Sequence, residues 1–266
     1  MGEHYLWLAE FHPEVETAGD LVSLIRSDAD IRERARKLWL AHTESKDAVA
    51  QTLVNAVAFL QLLARDRPLC ESLLLRALEL EPDNAAIHAR LAQFYVLGPP
   101  ARPDKTLEHA EAALRLNHIQ EAEEGLLEMC AVASLGLDEL ETATRYAKEL
   151  LAVLQSESGG MEWNRGNIRH KANIVLGRVA LRRGDVDSAK QHLLEAGKTE
   201  GSPQLDSFGP NMALAQELIA QGERTVIIEY FDLCGKFWKF GAERLAEWKA
   251  NVEKDITPDF GPNMIY

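Results

Sequence analysis

Asn167–Ala196, NIRHKANIVLGRVALRRGDVDSAKQHLLEA, is the stretch whose reading decides the fold. Ile174, Val175, Leu176, Val179 and Ala180 recur at the spacing of one helix face, and Gly184-Asp185 then interrupts the pattern. Val186, Ala189, Leu193 and Ala196 resume it, so the segment predicts two helices packed back to back. Gly177 falls mid-helix, where glycine costs about 1 kcal/mol relative to alanine. That cost implies a packing reason: a neighbouring helix comes too close for a side chain. Ala189 and Ala196 on the second helix allow the same close approach.

Weaker copies lie on both sides. Residues 46–81 hold a strongly apolar helix, DAVAQTLVNAVAFLQLLA, a turn at Asp66-Arg67-Pro68, and a second helix, LCESLLLRALEL, closed by Glu81-Pro82-Asp83-Asn84. A further pair runs from Ala85 to about Asn117, with Ile87, Leu91, Ala92 and Tyr95 on its first helix and Gly98–Pro103 inserted before its second. Residues 119–154 give a third pair around Leu135-Gly136, Ala143, Ala147 and Leu150, although Gly125 and Glu128 stand where apolar residues are expected. After a polar, Gly-rich break at 155–167 comes the Asn167–Ala196 pair. Residues 197–210 read as non-helical, and a fifth pair then spans Asn211–Trp238, opened by Pro210 and turning at Gly222. Residues 1–45, with helices expected at Leu21–Ile25 and Ile31–His42 and a cap at Asp28 or Asp30, predict an N-terminal cap. Phe240–Val252, with Leu245 and Trp248 inward, predicts a C-terminal capping helix, and 253–266 is a tail. The division is therefore 1–45, 46–154, 155–167, 168–252 and 253–266.

The Leu176-Gly177, Gly184-Asp185, Ala189, Ala196 pattern resembles the tetratricopeptide repeat. So does the ending Ala77, Leu78, Leu80, Pro82, and Ala77 and Ala113 are 36 positions apart, near that family's period of about 34. His118 replaces the terminal proline of the second copy, and Ile227 replaces an alanine of the fifth. The resemblance implies an all-α, right-handed α-solenoid of about five helical hairpins with capping helices at both ends. It also implies that the first helices of the hairpins line a concave groove that binds a peptide or protein segment. Carried onto this chain, the groove-facing positions are Asn55, Phe59, Arg90, Gln93, Lys171, Arg178 and Arg182. Such a face grips carboxylates through charge-assisted hydrogen bonds, so an acidic or carboxylate-bearing partner is expected.

Among 266 residues, 46% are apolar and the formal net charge is −13. An acidic chain of this kind argues against nucleic acid or an anionic membrane as main partner. No apolar run approaches the length of a membrane span, and MGEHYLWLAEFHPEVE carries four acidic residues and no basic leader, unlike a signal peptide. Three separated cysteines, Cys70, Cys130 and Cys234, predict buried thiols in a reducing, cytoplasmic setting. No phosphate loop, nucleophile elbow or metal-ligand spacing is present, so neither cofactor nor metal is expected.

Two further stretches carry side chains able to bind a ligand. Trp163, Asn164, Arg165, Asn167, Arg169, His170 and Asn173 offer an aromatic and several hydrogen-bonding groups, the alternative reading being an enzyme or small-ligand site there. Enclosure around a perturbed His170 would favour that alternative. The pentapeptide Phe-Gly-Pro-Asn-Met occurs at 208–212 and again at 260–264, a coincidence expected on the order of once in a hundred such chains. Phe260, Met264, Ile265 and Tyr266 favour burial, so the tail is expected to pack, on its own last helices or, in a homodimer, on a second copy.

Overall fold

The computed structural model describes residues 2–15, 28–63, 66–98, 100–116, 123–155 and 162–264, and among them every regular element is helical. The helix expected at Leu21–Ile25 lies outside these residues, as do Pro99, His118, Met161 and the last two residues. The chain divides into two compact units: residues 1–101 with 112–116, and residues 102–111 with 117–266.

In the first unit α1 (Gly2–Phe11) packs on α2 (Ala29–Glu44), α2 on α3 (Ala50–Leu63), α3 on α4 (Arg67–Leu80), and α4 on α5 (Ala85–Val96). The apolar cluster near the N-terminus is part of this core. Tyr5 is fully buried, and its hydroxyl accepts from Trp39 Nε1 at 2.8 Å. Side-chain caps set the helix starts: Asp28 accepts from Ile31 N, Asp66 from Leu69 N, and Asn84 from Ala86 N and Ile87 N. Pro68 sits in the first turn of α4, where its missing N–H costs nothing. Cys70 occupies a fully buried position in the core.

In the second unit, three hairpins follow one another. They are α7 (Glu123–Gly136) with α8 (Leu140–Val153), α9 (Arg165–Arg182) with α10 (Val186–Gly197), and α12 (Ala213–Ala220) with α13 (Thr225–Phe237). α9 touches α7, α8, α10 and α12, while α10 touches α12 and α13. One helix, α6 (Pro103–Leu116), contributes residues to both units, 103–111 to the second and 112–116 to the first. Gly177 is a point of close approach: a Cβ there would lie 2.3 Å from Leu214 Cδ2 and 3.3 Å from Ala189 O. Gly184 and Gly222 turn the hairpins with φ of +79° and +86°, a region that favours glycine. Asp185 caps α10 by accepting from Ser188 N.

The structure departs from the sequence reading in four places. Residues 197–210 are not wholly irregular: Ser202 and Pro203 start a short helix, α11 (Pro203–Phe208), whose Leu205 is buried. α9 begins at Arg165, earlier than 168, after a 3-10 turn at Glu162–Asn164. Pro210 does not open α12, because Asn211 Oδ1 instead accepts from Ala213 N and fixes the start. In α7 the buried face is Leu126, Leu127, Cys130, Ala131 and Leu135, which leaves Gly125 open to solvent.

After a 3-10 turn (Lys239–Gly241), α14 (Ala242–Glu253) buries Leu245, Trp248 and Val252. The tail then returns to the same unit. Phe260 and Asn263 are buried, and Gly261–Met264 forms one 3-10 turn despite having so little chain after it. The tail residues through Met264 thus dock within their own chain.

Candidate functional site

α9 carries most of the anticipated site residues, and its surroundings sort them. Lys171, Arg178 and Arg182 reach its partly exposed side, and each meets a carboxylate from elsewhere in the unit. Lys171 Nζ lies 2.7 Å from Glu128 on α7. Arg178 holds Glu217 on α12 through Nε at 2.9 Å and Nη2 at 2.7 Å. Arg182 donates to Leu135 O and, at 3.1 Å, to Asp138 beyond the end of α7. The row is therefore a mixed-charge surface, with its cations about one-third exposed.

In the first unit the four expected groove residues divide. Phe59 is fully buried and stacks on Tyr5 at 6.2 Å. Asn55 is also buried, donating to Pro13 O and Val15 O and accepting from Gln51. Both hold the core rather than a surface, a correction to the resemblance-based assignment. Arg90 and Gln93 do reach the surface side, where Arg90 donates to Gln93 Oε1 at 2.9 Å and to Gln61 Oε1 at 3.3 Å. Partial burial holds the Arg90 guanidinium pKa below its ordinary value, and among the described residues no carboxylate pairs with it.

In the alternative set, Asn167, His170 and Asn173 are buried and hydrogen-bonded within the unit, and Asn164 is half-buried. Asn211 N donates to His170 Nε2 at 3.0 Å, so the proton resides on Nδ1, which donates to Ala196 O at 3.0 Å. Burial drives the imidazole pKa down to about 4, so the ring is neutral. Asn167 Nδ2 donates to Asn164 and Gln204, while its Oδ1 accepts from Ser202 Oγ at 2.6 Å. Asn164 in turn donates to Glu124 at 2.5 Å. Asn173 donates to Arg169 O and accepts from His192 Nδ1. The bonds of His170 and Asn167 tie α9 to residues 196–211, and that of Asn173 ties it to α10. Trp163 is exposed.

No protein-family model matches the chain, and no curated protein matches it significantly.

Beside this seam lies a cavity of about 250 Å³, lined by Arg165, Arg169 and Lys198 together with Glu162 and Glu200. His170 does not line it, and Gly166 brings α9 so near Gly201 that a Cβ would meet the carbonyl oxygen at 2.0 Å. The perturbed histidine and the cavity are thus adjacent but separate features. The cysteine thiols are equally enclosed: burial pushes Cys70 up to about 11, Cys130 up to about 12 and Cys234 well above its ordinary value. Among the described residues no group of three or more metal-binding side chains converges, and no helix is long and apolar enough to cross a membrane.

Sequence reasoning missed the partners more than the residues. Glu128 was visible only as an apolar position gone wrong, and Glu217 and Asp138 gave no signal. Ser202-Pro203 was a legible helix start.

Proposed function

We propose that the chain is a non-enzymatic scaffold whose hairpins form a right-handed, tetratricopeptide-like solenoid and bind a peptide or protein segment on the first-helix surface. One observation carries this reading. α7, α9 and α12 are first helices of successive hairpins, and Lys171–Glu128 and Arg178–Glu217 bridge them in a row of partly exposed charges. Ion pairs at such exposure contribute about 0–1 kcal/mol each, so an incoming carboxylate can replace Glu128 or Glu217 at little cost. The same surface leaves cations in place to receive it. Arg90, bonded to neutral amides, is the corresponding cation of the first unit. The buried thiols fit a cytoplasmic setting.

Selection from a random peptide library displayed against the immobilised full chain tests this. Enriched peptides are expected to share acidic side chains or a free C-terminal carboxylate. Their affinity should fall about tenfold or more in a Lys171→Ala, Arg178→Ala double variant, and fall again as salt shortens the screening length below about 10 Å. Affinity that ignores both the variant and salt ends the reading.

A further inference from the structure

The two Phe-Gly-Pro-Asn-Met copies lie against each other, the second seated on the first. Asn263, in the second copy, is fully buried. Its Nδ2 donates to Phe208 O and Pro210 O, both at 3.0 Å, and its Oδ1 accepts from Arg244 at 3.3 Å. Its backbone carbonyl accepts from Met212 N at 2.8 Å. Every amide hydrogen of this side chain is read by a fixed backbone acceptor, a pattern that an aspartate or a leucine cannot reproduce. Three residues upstream, Phe260 enters an aromatic box: Trp248 meets it edge-on with centroids 4.9 Å apart, and Phe231 lies 6.2 Å away. Trp248 Nε1 also donates to Asp259 O at 3.2 Å.

The receiving surface is shaped for this segment. Gly209 has a φ of +87°, and a Cβ there would lie 2.5 Å from Trp238 and 2.7 Å from Asn263 Nδ2. Any side chain at 209 would close the seat. The groups named in the seat, from Phe208 to Trp248, all precede the tail, and the intervening Ile256 and Thr257 are exposed. Phe208 of the first copy stays exposed, so identical sequence is used once as floor and once as occupant.

We propose that this seat is a peptide-recognition site for a turn-forming segment carrying Phe-Gly-Pro-Asn, and that the chain's own tail occupies it as an intramolecular competitor. The ligand is a segment of a partner protein with an aromatic ring at one position and asparagine three positions on. The site is separate from the first-helix surface and does not depend on it. Tethering gives the tail an effective concentration of about millimolar, so the intact chain admits a foreign segment weakly, and release of the tail opens the site.

The test uses the full chain, a variant with a protease site inserted between Ile256 and Thr257, and a fluorescein-labelled synthetic peptide of residues 257–266. Uncut protein should bind the peptide at least about tenfold more weakly than protein cleaved in the folded state and than the Asn263→Ala variant. A peptide with Asn263→Ala should bind the cleaved chain at least about tenfold more weakly than the natural one. Equal binding to uncut and cleaved chains overturns the proposal, as does cleaved protein that loses its circular dichroism once the freed tail is dialysed away. Size-exclusion mass separates the occupants: a monomer carrying the peptide is expected. A chain that dimerises by exchanging tails and refuses the peptide overturns assignment of the seat to a foreign segment.

Discussion

Around α9, Asn164, Asn167, His170 and Asn173 on one side contrast with Lys171, Arg178 and Arg182 on the other. All seven are hydrogen-bonding side chains, and by residue type any of them suits a binding site. Burial separates them. The first group is enclosed or half-enclosed and bonded within the same unit, His170 to the backbone groups Asn211 N and Ala196 O. In the second group each cation, itself about one-third exposed, meets a side-chain carboxylate. A buried polar group costs heavily if its partner is lost, whereas an exposed pair exchanges freely with water or a ligand. On the α9 surface, polar density alone therefore does not single out where an incoming carboxylate would bind; the exchangeable ion pairs do.

The largest effect should come from breaking the buried side. His170→Ala removes the bonds that the ring makes with Asn211 N and Ala196 O and opens a cavity, which should destabilise the chain by about 3 kcal/mol or more in denaturant titration. The same residue predicts a pH dependence. Its folded pKa, about 4, lies below the ordinary value of 6.5, so between these values the unfolded chain binds the extra proton. Its contribution is present in full above about pH 6.5 and is lost as pH falls towards 4, with a slope approaching 1.4 kcal/mol per unit. Wild type should lose more stability than His170→Gln across that window, and equal slopes would show that the ring is not held neutral.

Gly177→Leu comes next. Overpacking against Leu214 and Ala189 should cost about 1–3 kcal/mol, offset by up to about 1 from better helix propensity. Gly177→Ala is milder but not free, because its Cβ still displaces the buried Leu214 methyl. Thermal denaturation that tolerates leucine as well as alanine would show that the α9–α12 approach is looser than described. Arg178→Ala should have the smallest effect on stability, under about 1 kcal/mol, since Glu217 regains water when the pair is broken. A loss above about 2 kcal/mol would move Arg178 from the exchangeable side of the comparison to the structural one.

The helical architecture was legible because its signals are local: apolar periodicity, a cap at Asp28 or Asp30, the breaks at Asp66-Arg67-Pro68, Glu81–Asn84 and Gly184-Asp185, and the mid-helix Gly177. α11 was hidden because Gly, Ser and Pro within 197–210 read as loop, although Ser202-Pro203 starts a helix. The candidate site was less legible because its meaning rests on distant partners. Nothing near Arg178 announces Glu217, and nothing near His170 announces Asn211 N. Phe59 and Asn55 were assigned to a groove by family position, while the chain around Tyr5 and Pro13 covers them. The repeated pentapeptide was visible, but not that one copy would seat the other.

The central claim is that ligand meets the exchangeable charges and not the polar seam. Nuclear magnetic resonance of isotope-labelled full chain, titrated with a library-selected peptide, tests it directly. The account predicts shifts at the side chains of Lys171, Arg178 and Arg182 and at the backbones of Glu128 and Glu217, with Asn164, Asn167 and His170 unmoved. Shifts concentrated at Arg165, Gly166, Arg169 and Lys198, with the charged row silent, would contradict it and place the site in the cavity beside the seam.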